Sequence, residues 1–228
     1  MREIIFDTET TGLYPLEGDR VTELGCVEVI NMIPTGREFH ALINPDRDIP
    51  AVVTAITGHT REMLRDKPRF EEVAESFLAF VGDSVMVAHN APFDRGFINM
   101  ELTRAGFDAY PDSRFKDTAA MARERFPGSP ANLDALCKRF EISLESRTKH
   151  GALIDAYLLA EVYLELNGGR TRVLDFSGME GSKAAVRYAP RPPRPTPLPL
   201  ASTLEERARH AAFVAEMGDG RVWKNFEA

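Results

Sequence analysis

Ile4-Ile5-Phe6-Asp7-Thr8-Glu9-Thr10-Thr11-Gly12 is the stretch on which both the fold and the chemistry turn. Its first three residues form a short apolar run, which reads as a buried strand. Two carboxylates follow directly. Strand alternation places Asp7 and Glu9 on the same side. Carboxylates this close repel each other, and loss of water makes the repulsion worse. A divalent cation between them relieves it, and hard cations such as Mg²⁺ favour carboxylate oxygens. Asp and Thr are also common turn formers at strand ends, so the stretch alone is balanced between a metal pair and a turn.

Outward from this strand, Val21 to Ile30 is rich in β-branched residues, with Glu23 and Glu28 breaking its apolar runs. Arg37 to Ile43 alternates again, with Phe39, Ala41 and Ile43 on one face, after a turn expected at Pro34 and Gly36. Three early strands with short connections predict an antiparallel meander. Helical spacing then takes over at Phe70, Val73, Phe77, Leu78 and Val81, at Phe93, Phe97, Ile98 and Leu102, and at Leu133, Leu136, Cys137 and Phe140. Val85 to Ala88 reads as a short buried strand between the first two. A long helix runs from about Gly151 to Leu166 and is closed by Gly168-Gly169. Strands first, then strands alternating with helices, predict an α/β fold: a mixed central sheet flanked by helices.

Two further constellations carry chemistry. His89-Asn90-Ala91-Pro92-Phe93-Asp94 follows the strand at Val85. Pro92 suits a first helical turn, from which Asp94 would project; Asn90 and Asp94 also suit plain capping roles. His150-Gly151-Ala152-Leu153-Ile154-Asp155 opens the long helix. A helix advances about 100° per residue, so residues five apart lie roughly 140° apart. His150 and Asp155 therefore cannot share a face if both are helical. His150 is placed in the lead-in loop, exposed, with Gly151 allowing close approach, while Asp155 is fixed on the helix. That arrangement suits a general base beside a metal ligand.

Taken together, Asp-x-Glu on a strand, Asn-x-x-Phe-Asp and His-x-x-x-x-Asp resemble the three-motif signature of the DEDDh exonucleases, within the ribonuclease H-like superfold. Asp7 to Gly12, Ser129 to Cys137, Arg147 to Asp155 and Leu159 to Tyr163 are similar to the proofreading epsilon subunits of bacterial DNA polymerase III. The resemblance spans about residues 2 to 170 and touches the remainder only loosely. It implies a 3′→5′ exonuclease that releases nucleoside 5′-monophosphates by two-metal hydrolysis, with Mg²⁺ or Mn²⁺. Asp7 would be shared between the two cations, Glu9 and Asp155 would complete the tighter site, Asp94 would hold the second, and His150 would accept the proton of the attacking water. The DNA 3′ end would lie against Thr8, Thr10, Ile56, Thr57, His89, Asn90 and Phe93, with the Ile56-Thr57-Gly58 segment as a loop. Thr57 departs from the family, which often has histidine there, and Val52 stands near a family acidic position. The same motifs serve stand-alone exoribonucleases and tRNA-trimming enzymes, and the fold can also carry a non-catalytic nucleic-acid-binding scaffold.

The 35 acidic against 28 basic side chains give a net charge of −7, which argues against a long phosphate-neutralising groove and is compatible with a carboxylate cluster built for cations. Cys26 and Cys137 lie in apolar stretches and read as buried thiols rather than a disulfide framework. The chain opens straight into a charged strand pattern, and no apolar run is long enough for a bilayer, so a cytoplasmic protein without a membrane partner is expected. Composition changes after Gly169. The proline-rich stretch between Ala189 and Pro199 suits an extended spacer, not a helix interior or central strand. Ser202-Thr203-Leu204-Glu205 has capping-box spacing, and Leu204, Ala208, Ala211 and Ala215 then share a helical face widened by Phe213, Val214 and Met217. The organisation expected is an exonuclease domain at 1–170, a linker at 171–201 and a tail at 202–228 that docks on the DNA polymerase III alpha subunit. Within the linker, Thr171 to Phe176 resembles sliding-clamp-binding peptides, with Leu174 and Phe176 as anchors.

Overall fold

The computed structural model describes residues 1–145, 149–169 and 202–216. Residues 1–174 group as one unit and 175–228 as another. In the first, five strands form one sheet in the order β3-β2-β1-β4-β5: β1 (Arg2–Thr10), β2 (Val21–Ile30), β3 (Ile33–Leu42), β4 (Val85–Ala88) and β5 (Phe115–Asp117). β1, β2 and β3 pair antiparallel, which is the expected meander; β4 and β5 run parallel to β1.

β1 is apolar at consecutive positions because both its faces are covered. Ile4 and Phe6 point into a core built with Phe70 and Phe77 of α3 (Phe70–Val81) and Phe97, Ile98 and Leu102 of α4 (Ala91–Arg104). Ile5 points the other way, against Ala156, Leu159, Ala160 and Tyr163 of α7 (Ala152–Leu166). α1 (Ala51–Thr57) and α2 (Arg61–Leu64) fill the connection before α3; α5 (Thr118–Arg125) and α6 (Leu133–Arg139) lie before α7. Both cysteines are buried thiols. Burial, and then the nearby Asp7 charge, push the Cys26 thiol well above its ordinary value.

Several local expectations change. The β2–β3 turn falls at Asn31 and Met32, both with positive φ, not at Pro34 and Gly36. A two-residue turn of this hand matches the twist of a hairpin. Pro34 and Gly36 sit inside β3 instead, which is tolerated because β3 is an edge strand and its pairing shifts register near Val27 and Val29. Glu23 and Glu28 do not interrupt burial, since β2 is buried from Val21 to Val29. Glu28 is neutralised by Arg2 and Arg37. The Ile56-Thr57 segment is the last turn of α1, closed by Gly58 at φ 83°, and not a loop.

In the second unit, α8 (Leu204–Glu216) begins one residue later than the capping-box reading. Thr203, not Ser202, accepts the Glu206 N–H at 3.2 Å, and Glu206 reaches back to the Thr203 N–H at 2.7 Å. The sequence Thr-Leu-Glu-Glu carries the same spacing one step along. Leu204 and Phe213 are exposed on this helix. The proline-rich spacer, the clamp-like peptide at 171–176 and Met217 lie outside the described residues.

Candidate active site

β4 pairs with β1 only along Glu3 to Ile5, whereas β2 accompanies β1 as far as Thr10. Beyond Ile5 one edge of β1 therefore has no strand beside it, and a crevice opens at the carboxyl ends of the parallel strands, the usual ligand position in open α/β sheets. Asp7 and Glu9 occur there, both half-buried, on the same side as Ile5 and hence toward α7. Asp7 stands opposite Gly25 of β2. A Cβ on Gly25 would lie 2.3 Å from the backbone of Ala152 and Leu153, so only glycine lets the start of α7 rest on the sheet at this point. Asp155, in the first turn of α7, is thereby brought to Glu9, and it is 4% exposed.

His150 precedes α7, whose N-cap is Gly151 in an extended conformation. Its backbone N–H donates to the Ile56 carbonyl at 3.3 Å, which pins the lead to the end of α1. Its half-exposed ring turns back so that Nδ1 lies 3.3 Å from Asp155 Oδ2. The contact across five residues is possible because His150 is outside the helix, as expected. One ligand atom from each of Glu9, His150 and Asp155 lies within 4.8 Å of the other two.

Asp94 reaches the crevice from the other face of the sheet, on the first turn of α4. It is no cap: its Oδ1 accepts from the Thr8 N–H at 3.1 Å and the Thr8 hydroxyl at 2.7 Å, which fastens α4 to the strand segment between Asp7 and Glu9. Burial pushes the Asp94 carboxyl up to about 7, against the two Thr8 bonds; the Asp117 charge pushes the same way as burial. A buried carboxyl of this kind, fastened to the strand residue between Asp7 and Glu9, is suited to a cation that would restore its charge. The carboxylate oxygens of Asp7, Glu9, Asp94 and Asp155 are hard donors, which fit Mg²⁺ or Mn²⁺.

The exonuclease family model matches residues 4–163. The DNA polymerase III subunit epsilon of Rickettsia felis is 45% identical over 95% of this chain and 97% of its own length. The Escherichia coli subunit of the same name is 38% identical over 98% and 97%. This chain belongs to the exonuclease family, among the DNA polymerase III epsilon subunits. Among solved structures, exonuclease X in complex with 5′ overhanging duplex DNA is 29% identical with a TM-score of 0.58, over 72% of this chain and 89% of that one. The nuclease domain of 3′hExo, a DEDDh family member bound to rAMP, is 16% identical with a TM-score of 0.61, over 75% and 94%, and shares the fold. The chain is thus a metal-dependent 3′→5′ exonuclease on a ribonuclease H-like fold.

The residues expected to touch substrate divide into two groups in this epsilon-family chain. Thr8, Thr10 and Thr57 spend their hydroxyls internally: on Asp94, on the Gly12 carbonyl at 2.6 Å and on the Val53 carbonyl at 3.1 Å. The backbone N–H of Thr11, next to Thr10, donates to the Arg20 carbonyl at 2.9 Å. Ile56, by contrast, is exposed. Asn90 holds a left-handed conformation, φ 67°, with its N–H on Asp117 and no cap bond from its side chain. His89 contacts the Thr118 hydroxyl through Nδ1 at 2.9 Å, and burial holds its ring below the ordinary histidine value. Phe93 is half-buried, its ring 5.0 Å from that of Phe97, so only part of it faces out. Asp117 escaped the sequence reading. It caps α5 through the Ala119 N–H, holds Asn90 and adds a minor upward push to the Asp94 carboxyl; the capping spacing Asp117-Thr118-Ala119 was the available signal.

Proposed function

We propose that this exonuclease edits DNA 3′ ends as the proofreading subunit of the replicative DNA polymerase III. Water attacks the terminal phosphodiester, the P–O3′ bond breaks, the released O3′ takes up a proton to become the new 3′-hydroxyl of the shortened strand, and a nucleoside 5′-monophosphate leaves. The observation that carries the reading is the convergence of Glu9, His150 and Asp155 beside Asp7, from strand, loop and helix. Two divalent cations, Mg²⁺ or Mn²⁺, would be held by Asp7, Glu9, Asp94 and Asp155 and would supply charge stabilisation at the entering and leaving oxygens. His150, on its exposed lead, accepts the proton of the water. Thr8 fixes Asp94, and the strand end rests on Ile56, His89, Asn90 and the outer part of Phe93.

The net charge of −7 favours capture of a frayed or single-stranded end over a long duplex footprint. The domain at 1–170 performs the hydrolysis, residues 171–201 act as a spacer with a sliding-clamp peptide at 171–176, and residues 202–228 dock on the polymerase alpha subunit. The exposed Leu204 and Phe213 of α8 support that docking role. A cytoplasmic location follows from this partnership; among the described residues no helix is long and apolar enough to cross a membrane.

The test is degradation of primers with paired and mispaired 3′ ends, with and without the polymerase subunit. Faster removal of the mispaired end is expected, and Asp7→Ala or Asp155→Ala should abolish release in a folded protein. Activity retained in either variant would sink the metal-site assignment. Equal removal of both ends without polymerase binding, or a preference for RNA, would turn the reading toward a stand-alone exoribonuclease.

A further inference from the structure

Glu23 stands opposite Glu9 across the β1–β2 pair, yet it serves a different set of partners. It is buried, and its carboxylate is gripped from three directions. His59 Nε2 lies 3.2 Å from one oxygen and His40 Nε2 lies 2.8 Å from the other. The third contact is with the start of α7: the two carboxylate oxygens lie 3.8 and 3.9 Å from where a Cβ on Gly151 would stand, facing the backbone N–H of Ala152, the first residue of α7. The α7 N-cap is Gly151, which has no side chain to satisfy the orphan N–H groups of the first turn. Glu23 supplies that acceptor from a neighbouring strand, and its negative charge complements the helix N-terminus. Burial acts to raise the Glu23 carboxyl; the bonds from His59, His40 and Ala152 outweigh it and hold the group below its ordinary value.

His59 is itself fixed. Its Nδ1 is 3.1 Å from the Thr22 hydroxyl, its N–H donates to Thr57 Oγ1 at 3.0 Å, and its carbonyl accepts from the Thr54 hydroxyl at 2.7 Å. It is 4% exposed and follows directly on the end of α1, the same segment whose Ile56 carbonyl holds the His150 N–H. Glu23 therefore joins three pieces beside the crevice: the strand pair bearing Asp7 and Glu9, the end of α1, and the start of α7.

We propose that Glu23, locked by His59, is a positioning residue for hydrolysis: it fixes the His150-Gly151-Ala152 lead and so sets His150 and Asp155 against Asp7 and Glu9. The proposal rests on the assignment of those four residues to the active site. Small displacements of such groups are costly, because the reacting atoms must be held in near-attack geometry.

The experiment is steady-state release of mononucleotides from a single-stranded DNA oligonucleotide by the full chain with Mn²⁺, with thermal melting in parallel. Glu23→Ala is expected to lower kcat about 10- to 100-fold, the usual size for loss of a supporting partner, with KM unchanged. Glu23→Gln keeps an oxygen for the Ala152 N–H and should recover most of that loss. If Glu23→Ala does not fold, His59→Gln gives the same reading, with a smaller fall in kcat. Wild-type kcat in a folded Glu23→Ala or His59→Gln protein, a Gln variant as impaired as the Ala variant, or a loss confined to KM would each overturn the proposal. Asp155→Ala run alongside separates the two levels: if it is inactive while Glu23→Ala is normal, only the positioning role fails, and if it is active the site assignment itself fails.

Discussion

Replacing Asp94 by asparagine should make the metal-free protein more stable while destroying the site. Burial holds the Asp94 carboxyl at about 7 against an ordinary 3.8. Because the folded value lies above the unfolded one, the stability this group contributes is fully present below pH 3.8 and is lost as pH rises through about 7. At pH 8 the folded, metal-free chain must bury an ionised carboxylate, at a cost of up to about 4 kcal/mol. The amide in Asp94→Asn removes that charge and keeps an oxygen for the Thr8 N–H and hydroxyl, so those donors stay satisfied. A domain of this size shifts its melting point by roughly 2–4 °C per kcal/mol, so an increase of up to roughly 8–16 °C is expected. The assay is thermal unfolding in EDTA from pH 5 to 8, repeated with Mg²⁺ or Mn²⁺. The wild type should lose stability as pH rises in EDTA and regain it with metal; Asp94→Asn should lack that loss, be unresponsive at that position to metal, and be inactive. A wild-type melting point constant across the range in EDTA, or an asparagine variant no more stable than wild type at pH 8, would refute the reasoning.

His150→Ala should lower kcat by about 10²- to 10⁴-fold while Mn²⁺ binding measured by calorimetry persists, since the carboxylates remain. Gly25→Ala should cost about 1–3 kcal/mol in denaturant unfolding and lower activity together, because its methyl group would displace the start of α7. Removing residues 190–228 should leave hydrolysis of single-stranded DNA intact and abolish co-purification with the polymerase alpha subunit.

What could be read from the chain alone is what depends on near neighbours. Strand alternation put Asp7 and Glu9 on one side, helical spacing located α3, α4, α6 and α7, and the angle between residues five apart expelled His150 from its helix; each holds in the structure. The family motifs then named the reaction. The tertiary structure decided the roles that depend on distant partners. Glu23 and Glu28 look like breaks in an apolar strand, but are buried because histidines and arginines from β1, β3 and the end of α1 bond to their carboxylates. Asp94 looks like a cap, but spans 86 residues to Thr8. Gly25 looks like any strand glycine until α7 is laid upon it. The three residues of β5 are too few to show a period. A pattern records which side of an element is covered. The charge that makes a buried carboxylate tolerable, and the backbone that forbids a methyl group, come from segments tens of residues away, so only the folded chain brings them to bear.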